Sequence, residues 1–364
     1  MNRSIAIPLV LVLVLSSILP AQAQRAAAPA PGLSAETRKS LEQSLEKGLA
    51  FLRTQQKPNG SWEFHEGMTG LALLGFLRAP SRSPKDDAMI DKGLKFLTTL
   101  AKSDGSIFSR DMPNANTSIS IMAMEASGKP EYKTFIQKGQ DFLVKLQFDE
   151  GEGVPKSDPK YGGIGYDDET RADLSNLHHV LEALQETSLS EKSDVWEKAI
   201  TFIQRTQNRK ESNDQSWAAN DGGFVYMPGM SFAGGTQSYG SMTYAGLLSY
   251  TYANLKKDDP RVQATHKWLV EHYSVDENPG LGKTTLYYYY MVLAKGLRAY
   301  GEPVITDAKG QKHNWREELA KKLIGLQYPE GHWVNKEDPS HWQDNKVLVT
   351  AFTTVAIDNI LAAR

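Results

Sequence analysis

The chain has 364 residues, 40% of them hydrophobic, with Gly 29 and Pro 17 at ordinary frequencies, so it can bury a large core and is neither collagenous nor wholly disordered. Lys+Arg 41 against Asp+Glu 43 leaves it nearly neutral and free of Lys/Arg-rich runs, which argues against a nucleic-acid binder or a polybasic membrane-surface protein, since both need a cationic face. Cys 0 excludes disulfides, so the fold stands on its core alone.

In chain order, Asn2-Arg3 supplies a short positive start, Ile5 to Leu19 is almost wholly apolar, and Pro20-Ala-Gln-Ala23 ends in small residues before Gln24. Together these predict a secretory signal peptide over 1–23 and an exported, periplasmic or extracellular, protein. The apolar run is interrupted by Pro8 and is short for a bilayer span of about 20 residues, so no stable span is expected after cleavage. Residues 24–33 read as an Ala/Pro linker, and Ser34 as the N-cap that opens a domain over 34–364.

From there one helical pattern recurs. It reads Lys47-Gly48-Leu-Ala-Phe51-Leu52, then Lys92-Gly93-Leu-Lys-Phe96-Leu97, then Lys138-Gly139-Gln-Asp-Phe142-Leu143. Weaker copies run Lys198 to Ile203, Ala264 to Leu269 and Leu319 to Leu323. Gly48, Gly93 and Gly139 are spaced 45 and 46 residues apart, the period of stacked supersecondary units. Four copies place a Gln one helical turn on, at Gln56, Gln147, Gln207 and Gln327, and two run into Gly60-Ser-Trp62 and Gly331-His-Trp333. The Gly closes the helix where positive φ is wanted, the Trp is expected over that turn, and the Gln amide can bridge backbone groups left unpaired there.

A second helix follows each turn: Gly67 to Phe76, Thr117 to Met124, Leu174 to Leu184, Ser241 to Tyr250, Thr285 to Leu297 and Val347 to Leu361. These segments carry few charges on any side, as buried helices do, whereas the first helix of each pair is amphipathic. An open solenoid would turn the apolar second helices toward water. The pattern therefore predicts an all-α chain whose roughly twelve helices close into a single α6–α6 toroid, an α/α barrel, and a monomer.

The run from Lys47 to Trp62, with Gln327 to Trp333, resembles the QW repeat of squalene–hopene and oxidosqualene cyclases, and the six-fold helix pairing resembles protein prenyltransferase β subunits. Within that superfamily the chain is similar to exported bacterial proteins carrying prenyltransferase/squalene-oxidase repeats. The resemblance implies an α/α toroid whose central cavity binds or transforms an apolar, isoprenoid-like ligand. Cyclases of this kind usually carry two helical domains, and this chain has room for one.

The catalytic groups the resemblance implies are altered. A terpenoid cyclase protonates its substrate with the middle Asp of Asp-x-Asp-Asp; the matching segment is Asp173-Leu174-Ser175-Asn176, with a hydroxyl of no usable acidity at the acid position. Asp173, Asp168 and Asp167 are the remaining carboxylates near that helix start and are the candidate catalytic groups, against the plain reading of Asp173 as a cap whose helix N-terminus lowers its pKa. The Asp-Cys-His zinc set of prenyltransferases cannot be assembled without Cys. His178-His179 are adjacent on a helix and point about 100° apart, so no metal site and no cofactor are expected.

The starts of the second helices should gather at one mouth of the ring. Candidate rim residues there are His65, Glu66, Asn116, Asn176, His178, Tyr239, Tyr244, Tyr287, Trp342 and Asp344. Four consecutive tyrosines, Tyr287 to Tyr290, must turn at least one ring inward. Two Gly-rich aromatic stretches, Gly162 to Tyr166 and Gly222 to Tyr239, are expected beside the same mouth. The expected partner is an apolar or amphiphilic small molecule. The alternatives are a non-catalytic module binding a lipid, a glycan or a protein, and a carbohydrate-active toroid that would need paired carboxylates.

Overall fold

The computed structural model describes residues 32–63, 66–80, 82–166 and 171–362. The expected leader, most of the linker, and His65, Asp167 and Asp168 lie outside the described residues. Among the described residues, twelve α-helices alternate between two layers. The outer layer comprises α1 (Ala35–Gln55), α3 (Asp87–Thr98), α5 (Lys133–Lys145), α7 (Val195–Thr206), α9 (Pro260–Glu271) and α11 (Trp315–Leu326). The inner layer comprises α2 (Glu66–Arg78), α4 (Pro113–Ala126), α6 (Leu174–Glu186), α8 (Gly240–Tyr252), α10 (Leu286–Tyr300) and α12 (Lys346–Leu361). Each inner helix packs on the next, and α12 packs on α2, so the ring is closed. The chain is an all-α, single α6–α6 toroid. Among the described residues the only paired strands are the two-residue Ile305–Thr306 and Lys312–His313, a hairpin the helical pattern did not foresee. No described helix is long and apolar enough to cross a membrane.

The recurring sequence pattern is the joint between neighbouring repeats. Gln56 Nε2 donates to the Gly60 carbonyl (3.0 Å) and to the Met89 carbonyl at the start of α3 (2.9 Å). Gln147 bridges Gly162 and Val195, and Gln207 bridges Gly222 and Arg261, in the same way. Gln327 bridges Gly331 (2.8 Å) and Ser44 on α1 (2.9 Å), so the last repeat is fastened to the first by the joint used elsewhere. The turn glycine is forced at that joint. A Cβ on Gly331, at φ +94°, would stand 2.4 Å from the Lys47 carbonyl oxygen, and one on Gly60, at φ +98°, would stand 2.4 Å from that of Lys92.

The tryptophans sit at the turns that close α1 and α11, as the sequence pattern led us to expect, and reach on from there into the wall. Trp62 and Trp333 are fully buried, and their indole N–H groups donate to Leu52 and Leu323 carbonyls at 2.7 and 2.8 Å. Their rings meet the next outer helix at its glycine: Gly93 faces Trp62, and Gly48 of α1 faces Trp333. Thr69 and Thr350 on the inner helices accept the Trp62 and Trp333 backbone N–H groups (2.9 and 3.1 Å). One motif thus ties an outer helix, its turn, its inner helix and the next repeat.

Ser34 caps α1 as expected, accepting the Thr37 N–H at 3.1 Å. Its own N–H and the Thr37 hydroxyl donate to Glu317 of α11 at 3.0 and 2.5 Å. Partial burial would raise the Glu317 pKa, but these donors and Lys321 outweigh it and hold the carboxyl at about 2. A carboxylate depressed in the folded state contributes stability above its unfolded pKa of about 4.3, lost as pH falls toward the folded value. Melting temperature followed from pH 5 to pH 2 should therefore fall more steeply for the wild type than for Glu317→Gln; parallel curves would remove this contact as a pH-dependent tie.

Candidate functional site

One cavity of about 630 Å³ opens among the N-terminal halves of the inner helices. All six helices contribute to it, through Met68 and Leu71 of α2, Asn116 and Ile119 of α4, Asn176 and His179 of α6, Met242 of α8, Tyr288 of α10, and Leu348 and Phe352 of α12. Its size suits a small-molecule ligand. Aliphatic and thioether side chains form its body, and no carboxylate lines it among the described residues. Of the tyrosine run, Tyr288 faces the cavity while Tyr287, Tyr289 and Tyr290 are packed in the wall.

The mouth is aromatic and polar. Tyr166 and Tyr226, from the two Gly-rich stretches, approach hydroxyl to hydroxyl at 3.4 Å, and the Arg171 guanidinium lies 5.6 Å from the Tyr226 ring centre. Phe232 packs on Tyr226 at 4.5 Å and on His341 at 5.9 Å. Phe232 and Trp342 remain 47% and 45% exposed, so two of the three exposed large apolar side chains among the described residues sit at this mouth.

The floor is closed by charge. Lys295 of α10 reaches across the ring and donates to both Glu182 oxygens of α6, at 2.7 and 2.9 Å, with both side chains buried. Arg78 of α2 pairs with Glu186 of α6, and Arg298 of α10 donates to Asn359 of α12. Burial raises the pKa of Glu182, but the charge of Lys295 prevails and holds it below the usual range. Asp358 of α12, facing Arg78, Arg298 and Lys295, is pushed up by burial. The ring thus has one open, aromatic and polar mouth and one end closed by the ion pairs of α2, α6 and α10.

The candidate residues fall into three groups. Asn116, Asn176, Tyr239 and Trp342 line the cavity. Asp173 and His178 lie directly behind its wall, whereas Glu66, Tyr244, Tyr287 and Asp344 are outside the lining. Glu66 is buried and accepts from the Ser109 hydroxyl, Tyr244 packs on Tyr289 at 5.8 Å, the Tyr287 N–H donates to Gln343, and Asp344 is exposed.

Asp173 is the cap of α6 and is fully buried. Its carboxylate accepts from the Asn176 N–H (2.9 Å), the Asn176 side-chain amide (2.6 Å) and the Ser175 hydroxyl (2.7 Å), with Tyr226 a further donor. Asn114 of α4 donates in turn to Asn176 at 2.7 Å. Burial raises the Asp173 pKa despite these donors, which corrects the lowering expected from the helix N-terminus alone. The carboxylate reaches the cavity through Tyr226, Ser175 and Asn176, which do line it.

The structure also corrects the argument that His178 and His179 diverge. Their ring centres are 4.1 Å apart, and with Glu182 they bring three ligand-type atoms within 4.8 Å of one another. Two side-chain torsions per histidine let the rings converge although their Cβ atoms do not. Burial drives the His178 pKa down to about 4 and lowers that of His179 well below its ordinary value, with the charges of His178 and Lys295 adding to the effect on His179. The sequence reading missed Tyr226, Tyr288 and His179 as lining residues, although the tyrosine run and the Gly-rich aromatic stretch had marked their neighbourhoods.

No protein-family model matches the sequence, and no curated protein matches it. Among solved structures, the type II terpene cyclase MstE from Scytonema is similar with a TM-score of 0.56 at 12% identity, over 88% of this chain and 98% of that one. A possible member of the GH105 family from Salmonella enterica is similar with a TM-score of 0.54 at 12% identity, over 97% and 99%. A protein from Actinoplanes is similar with a TM-score of 0.53 at 13% identity, over 88% and 100%. The shared feature is the α/α toroid fold. Other MstE structures hold geranylgeranyl dihydroxybenzoate, described as substrate, and merosterolic acid A, described as product.

Proposed function

We propose that the toroid captures an amphiphile with an apolar, isoprenoid-like body, seating the chain among the inner helices and the polar end at the aromatic mouth. The observation that carries this reading is the cavity itself: about 630 Å³, lined mainly by apolar side chains, backed by ion pairs and open at one polar, aromatic end. The terpene cyclase with the same fold, bound to a geranylgeranyl compound, supports the ligand class. A sugar-cleaving reading draws on the GH105-like neighbour, but the described lining carries none of the paired carboxylates that glycoside hydrolysis uses. The apolar start at 5–19 and the small-residue end at Ala23 support export of the protein to a place outside the cytoplasm.

A catalytic version of this reading rests on Asp173, whose raised pKa and contact with the cavity-lining Tyr226 suit a proton donor. The protein purified from its native host and extracted into organic solvent should release one amphiphile, identified by mass spectrometry, in near-stoichiometric amount. Recovery of an oligosaccharide instead, or of no small molecule from freshly purified protein, would overturn the reading. If the captured compound is also converted, Asp173→Asn should abolish conversion while leaving capture intact; unchanged conversion would reduce Asp173 to a helix cap.

A further inference from the structure

We propose that His178, His179 and Glu182 form a binding site for one divalent transition-metal ion of the zinc class at the inner end of the cavity, with an open coordination position toward it. The three side chains leave α6 within about one turn, and their ligand atoms already lie within 4.8 Å of one another. Around a tetrahedral ion with ligands at about 2.0–2.1 Å, donors stand about 3.3–3.5 Å apart, a contraction that side-chain torsions can supply.

The independent observation is the state of His178. Its Nδ1 is 3.1 Å from the Ser175 carbonyl oxygen, which can only accept, so Nδ1 carries the proton and Nε2 presents a lone pair. That Nε2 is fully buried and has no hydrogen-bond partner among the described residues. A buried, unsatisfied acceptor is costly, and a metal-bound histidine commonly donates its other ring N–H to a backbone carbonyl, as this one does. The Tyr288 hydroxyl, on a ring 6.2 Å from each imidazole, is likewise buried without a partner there. His179 belongs to the cavity lining, so a ligand in the cavity reaches the open position.

Lys295 opposes any cation here, because it already holds both Glu182 oxygens. In the metal-bound form Glu182 bridges the ion and the ammonium. Two neutral imidazoles and one shared carboxylate then favour ions with strong nitrogen affinity, Zn²⁺, Ni²⁺ or Cu²⁺, over Mg²⁺ and Ca²⁺. The site stands whether or not the cavity captures an amphiphile.

The test is titration of chelator-treated, untagged full-length protein with Zn²⁺ and with Mg²⁺ by calorimetry, together with the visible spectrum of the Co²⁺ form. One equivalent of Zn²⁺ should bind, Mg²⁺ should not, and Co²⁺ should show the d–d absorption of a low-coordinate nitrogen and oxygen site that Zn²⁺ abolishes. His179→Gln, at a half-buried position that tolerates a polar side chain, should weaken Zn²⁺ at least tenfold with an unchanged circular dichroism spectrum. Absence of Zn²⁺ binding to the wild type, or equal binding by His179→Gln, would overturn the proposal. The Co²⁺ spectrum of the wild type keeps the test decisive if a histidine variant fails to fold.

Discussion

Trp333→Ala is expected to destabilise the protein by about 3–5 kcal/mol, the range for removing a fully buried large aromatic side chain. The indole is completely buried, donates to the Leu323 carbonyl, and fills the space that Gly48 of α1 leaves open. Its position makes the result informative about architecture. In an open solenoid the last turn would have no successor to pack against, and the substitution would cost little. In the closed ring, Trp333→Ala should cost about as much as Trp62→Ala, because both fill the same joint. Urea-induced unfolding of the two variants measures this. A Trp333→Ala loss below about 1 kcal/mol beside a large Trp62→Ala loss would contradict closure.

The second large effect concerns the plugged end. Lys295→Met removes the ammonium that is hydrogen-bonded to both oxygens of buried Glu182, and breaking such a pair from one side costs about 3–5 kcal/mol. The double variant Glu182→Leu with Lys295→Met removes both charges and should recover most of that loss, or exceed wild-type stability by about 1–4 kcal/mol. The pair crosses the ring between α6 and α10 and is sealed from solvent, so little screening softens the effect. Thermal and urea unfolding of the two variants decide the matter. A double variant no more stable than Lys295→Met would mean that the ion pair contributes more than its desolvation costs.

Much of the fold could be read in the sequence because one joint is repeated. Gln56, Gln147, Gln207 and Gln327 sit a turn beyond a buried aliphatic residue, and each does in the structure what an amide at that place can do, bridging two carbonyls. Inner helices were recognisable because their segments carry few charges on any side. The packing partner of Trp62 and Trp333 was not, because the glycine each ring meets belongs to the next repeat, about 30 residues on or at the far end of the chain.

The site was legible in outline only. Periodicity identified which helix starts converge, and it placed Asn116, Asn176, Tyr239 and Trp342 at the cavity. It did not separate Tyr288 from Tyr287, because adjacent tyrosines differ by one helical step and packing decides which faces the centre. Asp173 shows the same limit: capping is local and visible in sequence, while burial depends on α4 and on the stretch carrying Tyr226. The approach of His178 to His179 depended on side-chain torsions that spacing does not specify.

The central claim, that the ring holds an amphiphile in its apolar cavity, is tested most directly by native mass spectrometry with geranylgeraniol. Met242 lines the cavity from α8 and is buried there, so Met242→Trp fills the space with an indole. The wild type should form a one-to-one adduct, and Met242→Trp should bind at least tenfold more weakly while melting as a folded protein. Equal binding by the two proteins, or no adduct with the wild type, would contradict the account.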